Sequence, residues 1–234
     1  MSAPLYLIPA PLGEADFSLL FPPFNLEIIN SIDHYIVEEL RTARRLLRKM
    51  NIQKSIDELT FSLLNEHTKN ADLNEYLSPC LSGNPMGLLS EAGTPCIADP
   101  GSSVVAKAHQ LGIEVIPLIG PNSIMLALMA SGFNGQYFTF NGYLPIDRNQ
   151  RETEIRFLET LLKKNGQTQI FIETPYRNNH LLDSFLTVCA SETRLCVACN
   201  LSTPEQWIKS QSISKWRKEK IDLHKKPVVF LLGR

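Results

Sequence analysis

No run of about 18 apolar residues lacks proline or charge, so the sequence predicts no membrane span. No basic, apolar leader with a small-residue cleavage signal opens it, and the expectation is a cytoplasmic chain. Cysteine is scarce and unevenly spaced. The count is five, an odd number, which favours reduced thiols over a disulfide framework. Neither sign of charge dominates: 23 Lys and Arg against 24 Asp and Glu leave a net charge of −1. That argues against coating nucleic acid by bulk charge and leaves local basic patches as the only electrostatic route to it. Two nucleotide fingerprints are missing, since no GxGxxG and no GxxxxGK[ST] occurs. There is no low-complexity segment and no repeat of 20–50 residues. Cys196 and Cys199 do form a CxxC. They lie in an apolar run that reads as a strand, where residues three apart point to opposite faces, so no metal site is expected.

What is present is an alternation of strand-like and helix-like runs. With 234 residues and 44% apolar content, the chain fits one large or two small domains with ample core. Strands are predicted at residues 5–8, 35–38, 61–64, 86–89 and 113–118, then at 137–143, 168–173, 195–199 and 228–232. Helices are predicted at 37–50, 71–81, ahead of Gly112 as a C′ residue, from Asn122 or Ser123 to Gly132, and over 148–164. Thr174 and Pro175 read as the start of a helix to Cys189, and Thr203, Pro204 and Glu205 as the start of another. The pattern implies an α/β protein of two α/β domains, residues 1–118 and 119–234.

The most informative stretch runs from Gly87 to Ser123, where apolar runs break three times into loops rich in Gly, Pro, Ser and Thr: SEAGTP, ADPG and GPNS. Loops of this kind at the carboxyl ends of strands are where open α/β sheets bind ligands. Gly93 allows close backbone approach. Glu91 and Asp99 add carboxylates, which suit a ligand carrying hydroxyls and positive charge.

These loops, with FNGYLP at 140–145, IETPYR at 172–177, LYLIPAPLG at 5–13 and VEELRTARRLL at 37–47, resemble in order and kind the tetrapyrrole methylase superfamily. Within it the chain is most similar to the ribosomal RNA small-subunit methyltransferase I type. The resemblance covers essentially the whole sequence. It implies two α/β domains with S-adenosylmethionine in the cleft between them, a homodimer, a structured RNA as acceptor and ribose 2′-O-methylation. It implies no metal and no membrane.

The resemblance also implies a site. Pro9, Ala10, Pro11 and Gly13 would form one wall for the cofactor. Glu91, Ala92, Gly93 and Thr94 would contact it, with Asp99 in support, followed by Ser123 and Ile124. Glu173, Thr174, Ala198, Pro227 and Val228 would enclose the adenine. Tyr143 and Arg177 would face the acceptor. If that acceptor is a ribose hydroxyl, a base helps remove its proton, and Glu39, Glu66 and His67 are the candidates. Arg41, Arg44, Arg45 and Arg48 fall within about a 100° arc of a helix, so Arg41 and Arg44 could grip phosphates. The basic run Lys215, Arg217, Lys218 and Lys220 could add stacking through Trp207 and Trp216, although an amphipathic helix with Trp in its core explains the same pattern.

The sequence departs from the family pattern at Glu91 (Asp expected), Leu40 and Thr42 (Thr and His), Asn65 and Thr68 (His and Asn), and Cys199 and Asn200 (an Arg-Glu pair). It closes at Arg234, where the family carries a C-terminal extension. Apart from Glu91 in the cofactor loop, the changed positions lie on the presumed acceptor side, so a small-molecule, tetrapyrrole-like methyltransferase and a cofactor-binding protein without turnover are the alternatives.

Overall fold

A computed structural model describes residues 2–14, 16–64 and 73–234. The chain forms two compact units, Met1–Asn122 and Ser123–Arg234.

The first unit begins with β1 (Leu5–Ile8), α1 (Phe17–Leu20), α2 (Pro23–Asn30), β2 (His34–Val37) and α3 (Leu40–Lys49). It continues through β3 (Thr60–Leu63), α4 (Leu73–Tyr76), α5 (Ser78–Leu81), β4 (Met86–Leu89), α6 (Ser102–Gln110) and β5 (Val115–Pro117). The five strands are parallel in the order β3-β2-β4-β1-β5. Their apolar runs are nearly continuous because both faces are covered. Ile8, Tyr35, Val37 and Leu89 enter one core with Ala43, Leu46 and Leu47 of α3. Leu5, Ile36, Met86 and Leu88 enter the other with Val104 and Ala108 of α6. Ile8 and Val37 both stand opposite Leu89, so the loops after β1, β2 and β4 leave from the same edge.

The second unit comprises α7 (Ser123–Ser131), β6 (Phe138–Phe140), α8 (Arg148–Asn165), β7 (Thr168–Ile172) and α9 (Asn178–Val188). β8 (Arg194–Cys199), β9 (Trp207–Ser212), α10 (Ile213–Trp216) and β10 (Val228–Gly233) complete it. The sheet is mixed, in the order β6-β7-β10-β8-β9, and β10 runs antiparallel to both neighbours. Ile155, Leu158 and Leu162 of α8 and Leu181 and Phe185 of α9 pack with Phe171, Val197 and Phe230. Asp147 caps α8 at the Gln150 amide, and Gly166, at φ 73°, ends it in the left-handed conformation only glycine adopts freely.

Several expectations are corrected. The helix predicted over 37–50 starts at Leu40, because Ile36 and Val37 pair with Leu88 and Leu89 in the sheet. The helix predicted over 71–81 is broken at Leu77 into α4 and α5, with Pro79 in the first turn of α5 where its missing N–H does no harm. β6 stops at Phe140, and Gly142, at φ 65°, turns the chain out of the sheet. Thr174 and Pro175 do not start α9. They form a turn in which the Arg177 amide donates to the Thr174 carbonyl (2.9 Å), and the helix begins at Asn178. The helix predicted from Thr203 is absent. The Thr203 hydroxyl donates to the Asn200 carbonyl (2.8 Å) and accepts from the Glu205 amide (3.2 Å), closing a turn that leads into β9. Cross-strand pairing from Cys199–Trp207 to Arg194–Ser212 overrides local propensity there. Among the described residues no helix is long and apolar enough to cross a membrane.

Candidate functional site

In the first unit, three loops converge at the carboxyl edge of the parallel sheet. The loop after β1 is tied to the loop after β4 by a reciprocal pair: the Ala10 amide donates to the Gly93 carbonyl (2.8 Å) and the Gly93 amide to the Ala10 carbonyl (3.0 Å). Gly93 has φ 74°, a torsion that favours glycine, and a Cβ there would also crowd the end of the Leu12 side chain at 3.2 Å. The loop after β5 joins the cluster from the other side. Asn122 Nδ2 donates to Thr94 Oγ1 (2.6 Å), and Gly120 lies so close to Pro9 that a Cβ would meet its ring at 2.3 Å. Pro9, Ala10, Pro11, Gly13 and residues 91–94 therefore belong to one rigid loop assembly.

Carboxylates concentrate in this cluster. Burial lifts Asp99 to about 6; the Ser90 hydroxyl opposes that shift and Glu38 adds to it. Burial also raises Glu91, reinforced by Glu38, Glu39 and Asp99 and offset by Arg45. A cavity of about 270 Å³ opens beside them, lined by Pro11, Leu12, Gly13, Arg45, Glu91 and Ala92 among others. It joins the loops to the arginine-bearing helix. Negative charge gathered at raised carboxylates favours a cationic ligand, whose charge would lower both groups again.

The acceptor-side expectations fare unevenly. Glu39 is the N-cap of α3: it accepts from the Arg41 amide (2.8 Å), the Thr42 amide (2.5 Å) and the Thr42 hydroxyl (2.7 Å). The Thr42 hydroxyl and the two amides hold its carboxyl below the usual range. A carboxylate so engaged is a weak base, and capping accounts for it. Glu66 and His67 lie outside the described residues. Arg41, Arg45 and Arg48 are exposed on α3. Arg44 instead lies over the Phe61 ring at 5.5 Å, and its Nε is buried without a hydrogen-bond partner among the described residues. The basic arc is thus three open arginines and one stacked.

In the second unit, the remaining site residues gather at one sheet edge. Ile172 stands opposite Val229, and Cys199 opposite both Val228 and Trp207. Glu173, Asn200 and Pro227 follow on that edge, where the Asn200 amide donates to the Pro227 carbonyl (3.0 Å). Ala198 and Val228 are buried beneath it. Tyr143, 55% exposed, follows β6 on the same side. Glu173 and Arg177, expected in separate roles, form one ion pair. Glu173 Oε1 accepts from Arg177 Nη2 (2.6 Å) and Nε (3.0 Å) and from the Thr174 amide (2.6 Å), so Arg177 shapes the turn that presents Thr174. Ser123 and Ile124 open α7, and the Ile124 side chain is buried.

The basic run near the end takes the second of its two readings, with Trp in the core. Trp216 is buried and donates from Nε1 to the Leu195 carbonyl (2.8 Å), and Trp207 packs against the same core, so neither offers a stacking face. Arg217 donates to the carbonyls of Leu186 (2.8 Å) and Cys189 (2.9 Å) and terminates α9. Among the described residues no group of three or more His, Cys, Asp or Glu could hold a metal. Cys196 and Cys199 are both buried thiols, raised by burial.

Sequence reasoning missed Asn122 as a tie between loops, because an Asn ahead of a helix reads first as a cap. It also missed Asn178 and Asn179, which latch the turn after β7 to the segment before β10. Asn178 Nδ2 donates to the Lys226 carbonyl (2.7 Å), and Asn179 Oδ1 accepts from the Leu223 amide (2.8 Å). Contacts across more than 40 residues leave no local signal.

No family model matches the chain. Among curated relatives, the ribosomal RNA small subunit methyltransferase I of Vibrio cholerae is 32% identical over 212 residues, covering 90% of this chain and 69% of that one. The protein of the same name from Pseudomonas aeruginosa is 28% identical over 211 residues, covering 90% and 71%. Among solved structures, the methyltransferase CobJ superposes with a TM-score of 0.63 at 16% identity, covering 100% of this chain and 95% of that one. Uroporphyrin-III-C-methyltransferase from Thermus thermophilus gives 0.57 at 14% identity, covering 100% and 93%. The structural likeness carries the fold, that of the tetrapyrrole methyltransferases, and the curated relatives set aside the reading of a binding protein without turnover. From the sequence relatives and this loop assembly together, the chain is a methyltransferase and belongs to the ribosomal RNA small subunit methyltransferase I family.

Proposed function

We propose that the protein transfers the methyl group of S-adenosylmethionine to small-subunit ribosomal RNA, at a ribose 2′-hydroxyl. The observation that carries the donor is the loop assembly of the first unit, in which Pro11, Gly13, Glu91 and Ala92 line an open cavity and the buried Asp99 stands near enough to Glu91 to raise it. This set fits the donor: carboxylates suit its sulfonium and ammonium charges, and Leu12 and Ala92 supply apolar wall. When bound, S-adenosylmethionine supplies a methyl group already activated by the sulfonium. The chain's residues then have chiefly to align and exclude water; alignment of this kind contributes on the order of 7–11 kcal/mol. On the second unit, the edge carrying Glu173, Thr174, Pro227 and Val228 above Ala198 offers surface suited to a purine.

The acceptor reading is supported by the relatives named above and by Arg41, Arg45 and Arg48, whose exposed guanidinium groups suit phosphates. The tetrapyrrole enzymes among the structural neighbours bear on the fold alone, so small-molecule methylation is the weaker reading. A homodimer is the assembly proposed with it, to be checked by sedimentation. The deciding experiment incubates the protein with labelled S-adenosylmethionine and small ribosomal subunits from a host lacking this protein. Label in the RNA, mapped to a ribose, is expected. Label that enters corrin or porphyrin precursors and not RNA would overturn the acceptor, and no donor binding by calorimetry would overturn the whole reading.

A further inference from the structure

Tyr176 is 65% exposed although it lies in a turn fixed from every side. Before it, Glu173 clamps Arg177. After it, Asn178, fully buried, holds the Lys226 carbonyl at 2.7 Å. Across from it, the Lys225 amide donates to the Pro175 carbonyl (2.9 Å), and Asp222 Oδ1 accepts from Asn179 Nδ2 (2.8 Å) and the His224 amide (2.9 Å). Two segments more than 40 residues apart are thus latched so that His224 meets the Tyr176 ring edge-on (centroids 5.7 Å apart, 75° between planes). The Lys225 ammonium stands 5.9 Å from the same ring. Lys225 holds φ 60° without being glycine, a costly torsion that the surrounding bonds enforce. A core does not need this arrangement, because none of the three side chains is buried.

An open aromatic face flanked by a cation and an imidazole matches one kind of partner: a planar base followed by a phosphate. We propose that Tyr176, His224 and Lys225 form a stacking platform for an unpaired base of the RNA acceptor, with Lys225 and His224 turned to its phosphate. This rests on RNA being the acceptor. The ring contributes a sequence-tolerant stack, and the fixed turn means little ordering cost on binding.

The test uses the full chain and a short single-stranded RNA carrying one 2-aminopurine, whose fluorescence falls on stacking, alongside methylation of the small subunit. Tyr176→Leu is expected to abolish the quench and weaken oligonucleotide binding about ten- to hundred-fold. Tyr176→Phe should retain both, and Lys225→Ala should weaken binding with a shallower salt dependence. In the Leu variant, KM for the subunit should rise more than kcat falls, with donor affinity and melting temperature unchanged. If wild type methylates RNA and Tyr176→Leu keeps the quench, the affinity and KM, the platform is refuted while the acceptor reading stands. If the quench is real and Tyr176-dependent but no RNA is methylated, the platform stands and the acceptor reading falls.

Discussion

Asp99 is a carboxyl group held at about 6, against an ordinary 3.8, by burial, with Glu38 adding to it and Ser90 opposing. The folded state therefore binds a proton between those two values that the unfolded chain has released, so stability contributed at this residue falls as pH rises through that window. Above it the full cost is present. Asp99→Asn removes the cost and should melt higher than wild type at about pH 8 and no higher at about pH 4. The same charge is the one proposed to serve the donor. Calorimetry should find S-adenosylmethionine binding weakening as pH falls through 6 in wild type, with a smaller pH dependence in Asp99→Asn, the remainder coming from Glu91. An unchanged pH profile in the variant would separate Asp99 from donor recognition. At this scale the sequence was readable where a residue type has few uses. Gly93 needed its torsion. It misled where a type has many. Glu39 looked like a base, but a carboxylate two and three residues ahead of free helix amides is first of all a cap.

At the scale of elements, Glu159 of α8 holds the turn that leads from α9 into β8. It accepts from the Ala190 amide (2.8 Å) and the Thr193 hydroxyl and pairs with Lys163 at 3.1 Å. Burial pushes its carboxyl up, but Thr193, Ala190 and Lys163 outweigh that and hold it below the ordinary range. Its stabilising contribution is complete above the ordinary value and is lost as pH falls through the lowered one. Glu159→Gln should cost about 1–3 kcal/mol in urea unfolding of the second unit at neutral pH. The deficit should shrink as the solution is acidified below about pH 4; a constant deficit would mean that packing, not charge, was lost. Strands with continuous apolar runs, β1, β4, β8 and β10, were legible because burial on both faces leaves a dense signal. β9 was not: WIKSQS carries one apolar pair, and pairing with β8 decides its conformation. The start of α3 was obscured because Ile36 happens to continue its periodicity while belonging to β2.

For the molecule as a whole, a net charge of −1 means that any affinity for RNA must come from local geometry. If Arg41 and Arg48 each meet a phosphate, replacing both with Ala should flatten the log-log salt dependence of binding by about 1.4 units, at roughly 0.7 per contact. Donor affinity should be retained, and a parallel shift with an unchanged slope would place these arginines off the RNA. Two sheets of different construction share the chain, one all parallel and one mixed, and both collect their candidate residues at a single edge. The reciprocal amide pair between Ala10 and Gly93 has a consequence for the first of them. Two loops joined by a reciprocal pair expose both amides in a single opening event, so solvent deuterium should reach Ala10 and Gly93 at matched rates.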